Sequence, residues 1–296
     1  MLSLKVSDLT NTETYQLLSA AVAPRPICFA STIDKKGNVN LSPFSFFNMM
    51  SSNPPICVFS PVLRGRDGSS KNTLDNILEV PEVVINIVNY KMVQQTSLAS
   101  TEYPKGINEF VKAGFTEIAS ENIKPPRVKE APVQLECKVN QVIPLGKEGG
   151  AGTIVVAEVI MIHIDESVLD ENGKIDIFKI DQVARLGGNW YSRITPESLF
   201  EVAKPLSKLG IGIDALSDDI KNSNILTGNH LGQLANVEHL PTAEEVEAFA
   251  KNMEVKEILD STIGDNKTRT TQLHLKAVVW LDKGRVEDAW KLLLQD

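Results

Sequence analysis

The sequence has little cysteine, little histidine and no long apolar run, and each shortage excludes a class of protein. Its three cysteines, Cys28, Cys57 and Cys137, form no CxxC pair, which argues against a zinc knuckle or a disulfide framework. The four histidines are scattered without HExxH spacing, so we expect no bound metal. Because no run of about 18 apolar residues exists, we expect no membrane span.

Positive charge is also in short supply. The 296 residues include 30 Lys and Arg against 38 Asp and Glu, which gives a net charge of −8. This balance offers no electrostatic footprint for nucleic acid or for an anionic membrane. Residues 1–8 lack the apolar core of a signal peptide, and unpaired cysteines suit a reducing compartment. We therefore expect a cytoplasmic protein with neither nucleic acid nor membrane as partner.

Up to about residue 190 the chain has mainly the pattern of β-strands. Short β-branched runs occur at residues 27–33, 55–60 and 83–88, and Gly37 closes a polar turn at residues 34–38. Longer runs at 133–143 and 153–164 flank a glycine-rich loop and predict a long antiparallel hairpin. Only short helices are expected, near residues 72–78, 89–100 and 106–113. The absence of βαβ alternation favours a closed or partly closed antiparallel barrel.

From about residue 195 the pattern changes to helical. Thr195 and Pro196 predict an N-cap and first turn of a helix that ends at Pro205. Thr242 and Glu245 have capping-box spacing, and a final helical hairpin is expected over residues 270–294. Residues 206–296 contain 10 Lys and Arg and 15 Asp and Glu, so this part carries −5 of the total −8. We predict one domain over residues 1–205 and an acidic α-helical extension over residues 206–296.

The final helical hairpin resembles one tetratricopeptide unit. Such repeats need about three copies to bury a core, and the sequence shows no second copy. A helical pair that packs on the barrel or on a partner subunit is therefore favoured over a peptide-binding repeat.

Most of the chemistry-bearing side chains lie in three segments between residues 23 and 73. The first holds a cation between two prolines and ends in two hydroxyls, the second is aromatic, and the third pairs hydroxyls with a second cation. A phosphorylated, planar aromatic ligand would use all of these groups, since cations and hydroxyls bind phosphate and an aromatic stretch can wall a flat ring. The candidate residues are Arg25, Ser31, Thr32, Ser45, Phe46, Phe47, Asn48, Lys71, Asn72 and Thr73.

The candidate residues differ in how they could meet a ligand. Strand alternation sends at least one phenylalanine of the aromatic stretch into the core, so Ser45 and Asn48 are the better polar contacts. Tyr191 follows Gly187 and Gly188, which allow close approach, and it either covers the ligand or seals the barrel end.

The same segments resemble the flavin reductase-like, FMN-binding split-barrel family, and in particular its flavoredoxin-like branch. The resemblance spans roughly residues 10–195 and is carried by residues 24–27, 43–48, 53–55, 71–73 and 185–191. It implies a homodimer of a six-stranded Greek-key split β-barrel, mainly β with helices, with FMN in a groove near the dimer interface. It also implies that the ten candidate residues above line the flavin or its phosphate, and Tyr191 is added to this set as the residue that would cover the flavin. The helical extension lies outside it.

The resemblance implies an FMN-dependent NAD(P)H oxidoreductase, with hydride passing from the nicotinamide to the flavin. No nucleophile–base set such as GxSxG is present, which fits chemistry carried by a cofactor. Two alternatives stay open. One is a non-enzymatic FMN electron carrier with a protein electron-transfer partner. The other is an interaction protein that works through its helical extension.

Overall fold

The computed structural model describes residues 1–206 and 209–295. The chain forms two compact units, Met1–Phe200 and Glu201–Asp296. The division falls five residues before the predicted one at 205/206. None of the helices described combines the length and the apolar character that a membrane crossing needs.

A seven-stranded sheet forms the centre of the first unit, one strand more than the resemblance implied. Its strands pair antiparallel throughout. They are β1 Cys28–Ile33, β2 Val39–Phe44, β3 Phe47–Ser52, β4 Pro55–Phe59, β5 Glu82–Ile87, β8 Val133–Pro144 and β9 Thr153–Ile164. The predicted long hairpin is confirmed as β8 and β9, and Gly37 has the left-handed φ of 91° that its turn requires. No ranges were predicted for strands β2 and β3, although strand alternation was expected in the aromatic stretch at residues 44–47.

The order of the strands explains how the sheet curls. It runs β2-β1-β5-β8-β9-β4-β3, so the two edge strands are β2 and β3. These edges are consecutive in the chain, and only Ser45 and Phe46 separate them. A two-residue link spans less than about 11 Å, so the edges must approach each other at one corner. The Ser60 N–H donates to the Phe46 carbonyl at 2.9 Å and holds this corner.

Short helices surround the sheet of the first unit. Helix α1, which the sequence analysis missed, begins after a capping box between Thr10 and Glu13. The others are close to the predicted ones, although the segment after Asn89 divides into a 3-10 turn and a short α-helix. The helices are α1 Asn11–Ala21, α2 Asn72–Glu79, α3 Val93–Leu98 and α4 Glu109–Ala113. Small two-stranded pairs complete the unit: β6 Glu117–Ile118 with β7 Arg127–Val128, and β10 Val183–Arg185 with β11 Tyr191–Arg193.

The core of the first unit is divided between the two faces of the sheet. Cys28, Cys57 and Cys137 pack on one face as buried free thiols, and burial raises the pKa of each. No cluster of three or more His, Cys, Asp or Glu in the described parts of the chain could hold a metal ion.

The prediction of a helix between Thr195 and Pro205 is wrong. Only one 3-10 turn forms, at Pro196–Ser198, and Leu199 is already extended. Leu199 and Phe200 are 39% and 85% exposed, so a helix here would have no apolar face to bury. A short helix without such burial does not repay its nucleation cost.

The second unit is helical. Its helices are α5 Asp218–Lys221, α6 Gly228–Ala235, α7 Ala243–Phe249, α8 Met253–Ser261, α9 Asn266–Leu281 and α10 Val286–Leu293. The capping box at Thr242 and Glu245 is confirmed, and the final hairpin is confirmed as α9 and α10, turning at Gly284 with a φ of 72°. That hairpin packs against α6, α7 and α8 of its own unit, around Trp280 and Trp290. Packing within the helical unit was not among the predictions, which named the barrel, a partner subunit or a bound peptide.

Candidate functional site

The link between the edge strands is the central part of the candidate site. Ser45 lines two adjoining cavities, one of about 620 Å³ and one of about 360 Å³. Pro43 and Ser100 also line both, so the cavities form one groove on either side of the corner. We call it the corner groove. Each cavity has the size of a typical small-molecule site, roughly 300–1,000 Å³.

The smaller cavity ends at two cations, Arg64 and Lys71, which we call the cationic end. Arg64 lies in a tight loop between β4 and α2. Its N–H donates to the Ser69 carbonyl at 2.9 Å, and its Nη1 donates to Ser69 Oγ at 3.0 Å and to the Ser70 carbonyl. Ser69 in turn holds the pKa of Asp67 near 2 by donating to its carboxylate. The loop therefore presents a guanidinium that is only 14% exposed, at a fixed position.

Lys71 stands at the N-cap of α2. An ammonium group cannot accept a hydrogen bond, so no side chain caps the first-turn N–H groups of this eight-residue helix. The Lys71 Nζ lies 2.8 Å from Glu102 Oε1. Lys71 lowers the pKa of that carboxyl below its usual value, with smaller contributions from Arg64 and Arg66. The cationic end thus combines two positive side chains, a helix N-terminus and one carboxylate.

The larger cavity contains two arginine–tyrosine pairs. The Arg193 guanidinium lies 3.8 Å from the centre of the Tyr90 ring and forms two hydrogen bonds with Asp181, at 2.7 Å and 2.9 Å. The Arg185 guanidinium lies 4.7 Å from the centre of the Tyr191 ring. We call this the arginine–tyrosine end, where positive charge and flat apolar surface occur side by side.

Six of the predicted site residues are brought together on the corner groove or on the small cavity that continues it. That small cavity shares Ser42, Arg64 and Lys71 with the 360 Å³ cavity of the corner groove. The six residues are Ser45, Phe46, Lys71, Asn72, Thr73 and Tyr191.

The other predicted residues lie elsewhere. Ser31 and Thr32 are fully buried on opposite faces of β1, and Thr32 Oγ1 accepts a hydrogen bond from Asn76 at 3.2 Å. Phe47 packs on the core, as expected of at least one phenylalanine of this stretch. Asn48 is exposed on β3, and its Oδ1 accepts from the Met49 N–H at 2.8 Å.

Arg25 is buried and bound to main-chain carbonyls. Its Nη1 donates to the carbonyls of Ser19 and Val22, and its Nη2 donates to that of Leu186 at 3.0 Å. Backbone hydrogen bonds with Arg185 run in both directions, at 2.9 Å and 2.8 Å. In this arrangement Arg25 ties α1 to the strand that carries Arg185, and it supports the Phe46 ring from 5.9 Å.

Arg64, Ser100 and Glu102 line the cationic end and were not among the predicted site residues. Arg64 had a usable signal, because it opens the basic, glycine-containing loop at residues 64–68. Ser100 and Glu102 had none. They lie in an unpatterned polar segment that only the tertiary fold brings to α2.

Comparisons with known proteins show the family and the fold of the first unit. The sequence profile of the flavin reductase like domain matches residues 20–179. Nitrilotriacetate monooxygenase component B from Bacillus cereus is 30% identical, with a TM-score of 0.64 over 68% of this chain and 98% of that one. The 2-nitrobenzoate 2-nitroreductase NbaA of Pseudomonas fluorescens is 28% identical, with a TM-score of 0.63 over 71% and 100%.

A third structure defines the fold. It is a Shewanella frigidimarina protein with a split barrel domain, 23% identical, with a TM-score of 0.58 over 69% of this chain and all of that one. The seven-stranded sheet is therefore a split barrel, which confirms the predicted fold class. The three structures are matched over nearly their whole length, whereas about 30% of this chain lies outside each match.

Proposed function

The chain belongs to the flavin reductase-like family, and from this premise we propose that it is an FMN-dependent oxidoreductase with NAD(P)H as hydride donor. The observation that carries the proposal is the corner groove. It joins a cationic end, suited to a phosphate, to a channel along the backbone of residues 42–46, suited to a flat ring.

The cationic end fits the phosphate of FMN. Arg64 and Lys71 would neutralise it, and the uncapped first turn of α2 would donate backbone N–H groups to it. Arg64 Nε supports this assignment, because it is buried and forms no hydrogen bond among the described residues, although it pairs with the Glu102 carboxylate at 3.4 Å. An anion at this position would satisfy it.

The remaining groove would hold the ring and the second substrate. FMN, when bound, supplies the hydride-accepting chemistry itself, so the chain needs no general acid or base. Ser45 and Phe46 would border the ring beside the corner, where the larger cavity adjoins. Arg185 and Arg193 would offer positive charge to the phosphates of a nicotinamide nucleotide.

We also propose that the protein is a homodimer. Ile160, Ile162 and Ile164 alternate along one face of β9 and are 38%, 56% and 38% exposed. Met49 and Met50 on β3 add exposures of 66% and 62%. A row of exposed isoleucines of this kind suits a second copy of the chain. Light scattering should give twice the chain mass, and Ile162→Glu should halve it if the β9 face forms the interface.

Anaerobic stopped-flow mixing tests the enzyme directly. Purified protein with FMN is mixed with NADH or with NADPH, and the flavin absorbance is followed. Rapid bleaching that requires the protein is expected for a reductase. If FMN binds but neither nucleotide bleaches it, the electron-carrier alternative is favoured. If the protein binds no FMN, both are excluded.

A further inference from the structure

The cationic end contains an internal anion. Glu102 Oε1 lies 2.8 Å from Lys71 Nζ and 3.4 Å from Arg64 Nε, and its Oε2 lies 3.7 Å from Arg66 Nη1. Three cations therefore converge on one carboxylate at the position where the proposed function needs a phosphate. The Glu102 side chain is itself 41% exposed.

A carboxylate and a phosphate bind to these cations in the same way. Both are oxygen acceptors that form charge-assisted bonds with Lys and Arg. Glu102 is ionised at neutral pH, since Lys71 and the arginines lower its pKa. A phosphate that binds Lys71 Nζ and Arg64 Nε must therefore displace the carboxylate or share both cations with a second negative charge.

The segment that carries Glu102 can release it without disturbing the core. Glu102 lies between α3 and α4, where Ser100 and Thr101 are also exposed. The local backbone bonds are short-range turns, from the Thr101 N–H to Leu98 and from the Tyr103 N–H to Thr101. The carboxylate is thus attached to the groove mainly by the charge pairs themselves.

We propose that Glu102 is a specificity-determining residue that competes with the flavin phosphate for Lys71 and Arg64 and so keeps bound FMN exchangeable. This inference rests on the proposed function. FMN that exchanges with solution requires a weakened hold on its phosphate, and an internal competitor for the phosphate weakens FMN binding without altering the contacts to its ring.

Two flavins and two variants test the proposal. Dissociation constants for FMN and for riboflavin, which lacks the phosphate, are measured by fluorescence quenching with the full chain. Glu102→Gln removes the charge and keeps the size of the side chain. Glu171→Gln is the matched control, an exposed carboxylate in the turn at residues 170–174 that makes the same change in net charge.

Glu102→Gln should bind FMN about three- to tenfold more tightly, the scale expected for a few partly exposed charge pairs. Riboflavin affinity should not change, and Glu171→Gln should behave as wild type. The gain should shrink at high salt, because these groups are accessible to solvent.

The opposite result has a definite meaning. If Glu102→Gln leaves FMN affinity unchanged or weakens it, Glu102 orders the cations and does not compete for them, and the proposal is overturned. If both the wild-type protein and Glu102→Gln bind riboflavin and FMN equally, no phosphate site exists at Lys71 and the proposal also fails. If neither flavin binds, the proposed function fails first and this inference fails with it.

Discussion

The two units differ in what they bury. Among the described residues, fifteen buried polar side chains belong to Met1–Phe200 and three to Glu201–Asp296. The first unit uses these groups to hold irregular segments in place. The Asn86 side chain, for example, donates to the Phe29 carbonyl at 2.9 Å and accepts from the Val128 N–H at 3.0 Å. The second unit relies instead on a nearly continuous apolar core around Trp280 and Trp290.

We interpret this difference as a division of roles, in which the first unit forms the binding site and the second is a structural support. Burial of a polar group costs free energy unless the group is fully hydrogen-bonded. In the first unit the partners of such groups include the backbone of loops, and these hydrogen bonds hold the loops in defined positions. Such loops form the corner groove. The second unit is a helical bundle, in which apolar contacts between the helices hold them in place. We therefore expect changes in the second unit to alter stability and changes at the groove to alter flavin affinity.

The largest effect is expected from Trp280→Ala. Trp280 is fully buried in the helical unit and contacts the Phe249 ring at a centroid distance of 5.8 Å. Its removal should lower the free energy of unfolding of that unit by about 3–5 kcal/mol. Denaturant unfolding followed by circular dichroism measures the loss, and FMN titration should show an unchanged dissociation constant.

Leu275→Ala, on the exposed side of the same helix, is the matched control and should lose far less stability. The comparison between the units breaks down if Trp280→Ala abolishes FMN binding while the first unit is still folded. The helical unit would then belong to the binding machinery.

The next largest effect concerns Arg25. Arg25→Ala should destabilise the first unit by about 2–4 kcal/mol, because three buried or partly buried carbonyls lose their donor. Arg25→Lys keeps the charge but not the planar fork, and it should recover only part of this loss. Thermal unfolding of both variants, without flavin, measures the effect.

This pair of variants also decides between the two interpretations of Arg25. A phosphate contact, as the sequence analysis predicted, would leave the stability of the flavin-free protein almost unchanged and would weaken FMN but not riboflavin. That outcome would return Arg25 to the binding site.

Lys71→Ala should weaken FMN binding by roughly 1.5–3 kcal/mol, the usual worth of a hydrogen bond to a charged group. Riboflavin affinity should be unaffected, because only the phosphate meets the cationic end. Fluorescence titration with both flavins is the measurement, and Lys138→Ala, an exposed lysine on β8, is the control. Equal weakening of both flavins would mean that Lys71 supports the fold of the groove and not the phosphate.

How much of the fold could be predicted depended on local pattern. The hairpin of β8 and β9 and the capping box at Thr242 were visible because period and capping chemistry are written in neighbouring residues. The strands on either side of Ser45 were given no ranges, because the aromatic residues there suited both a strand and a ligand wall. The helix predicted after Thr195 failed because a good N-cap cannot compensate for an unburied face.

The site followed the same logic. Lys71, Asn72 and Thr73 could be predicted, since a polar helix start beside hydroxyls is a local feature. Glu102 could not, because its charge pairs join positions 31 residues apart in the chain. Arg25 shows the converse limit. Its rigid setting was evident from two prolines, but its side chain binds the carbonyls of Ser19, Val22 and Leu186, and no local pattern connects Leu186 to it.

The smallest effect is expected for a matched pair of variants, because each unit has a capping box of the same design. Thr10 in the first unit pairs with Glu13, and Thr242 in the second pairs with Glu245. Thr10→Ala and Thr242→Ala should each lower the free energy of unfolding by about 1 kcal/mol, since one first-turn N–H loses its acceptor. Hydrogen exchange at the first turns of α1 and α7 resolves the two losses. Neither change should alter FMN affinity by more than twofold. A larger loss of FMN affinity for Thr10→Ala would show that the groove depends on an ordered α1, whose Ser19 carbonyl accepts from Arg25.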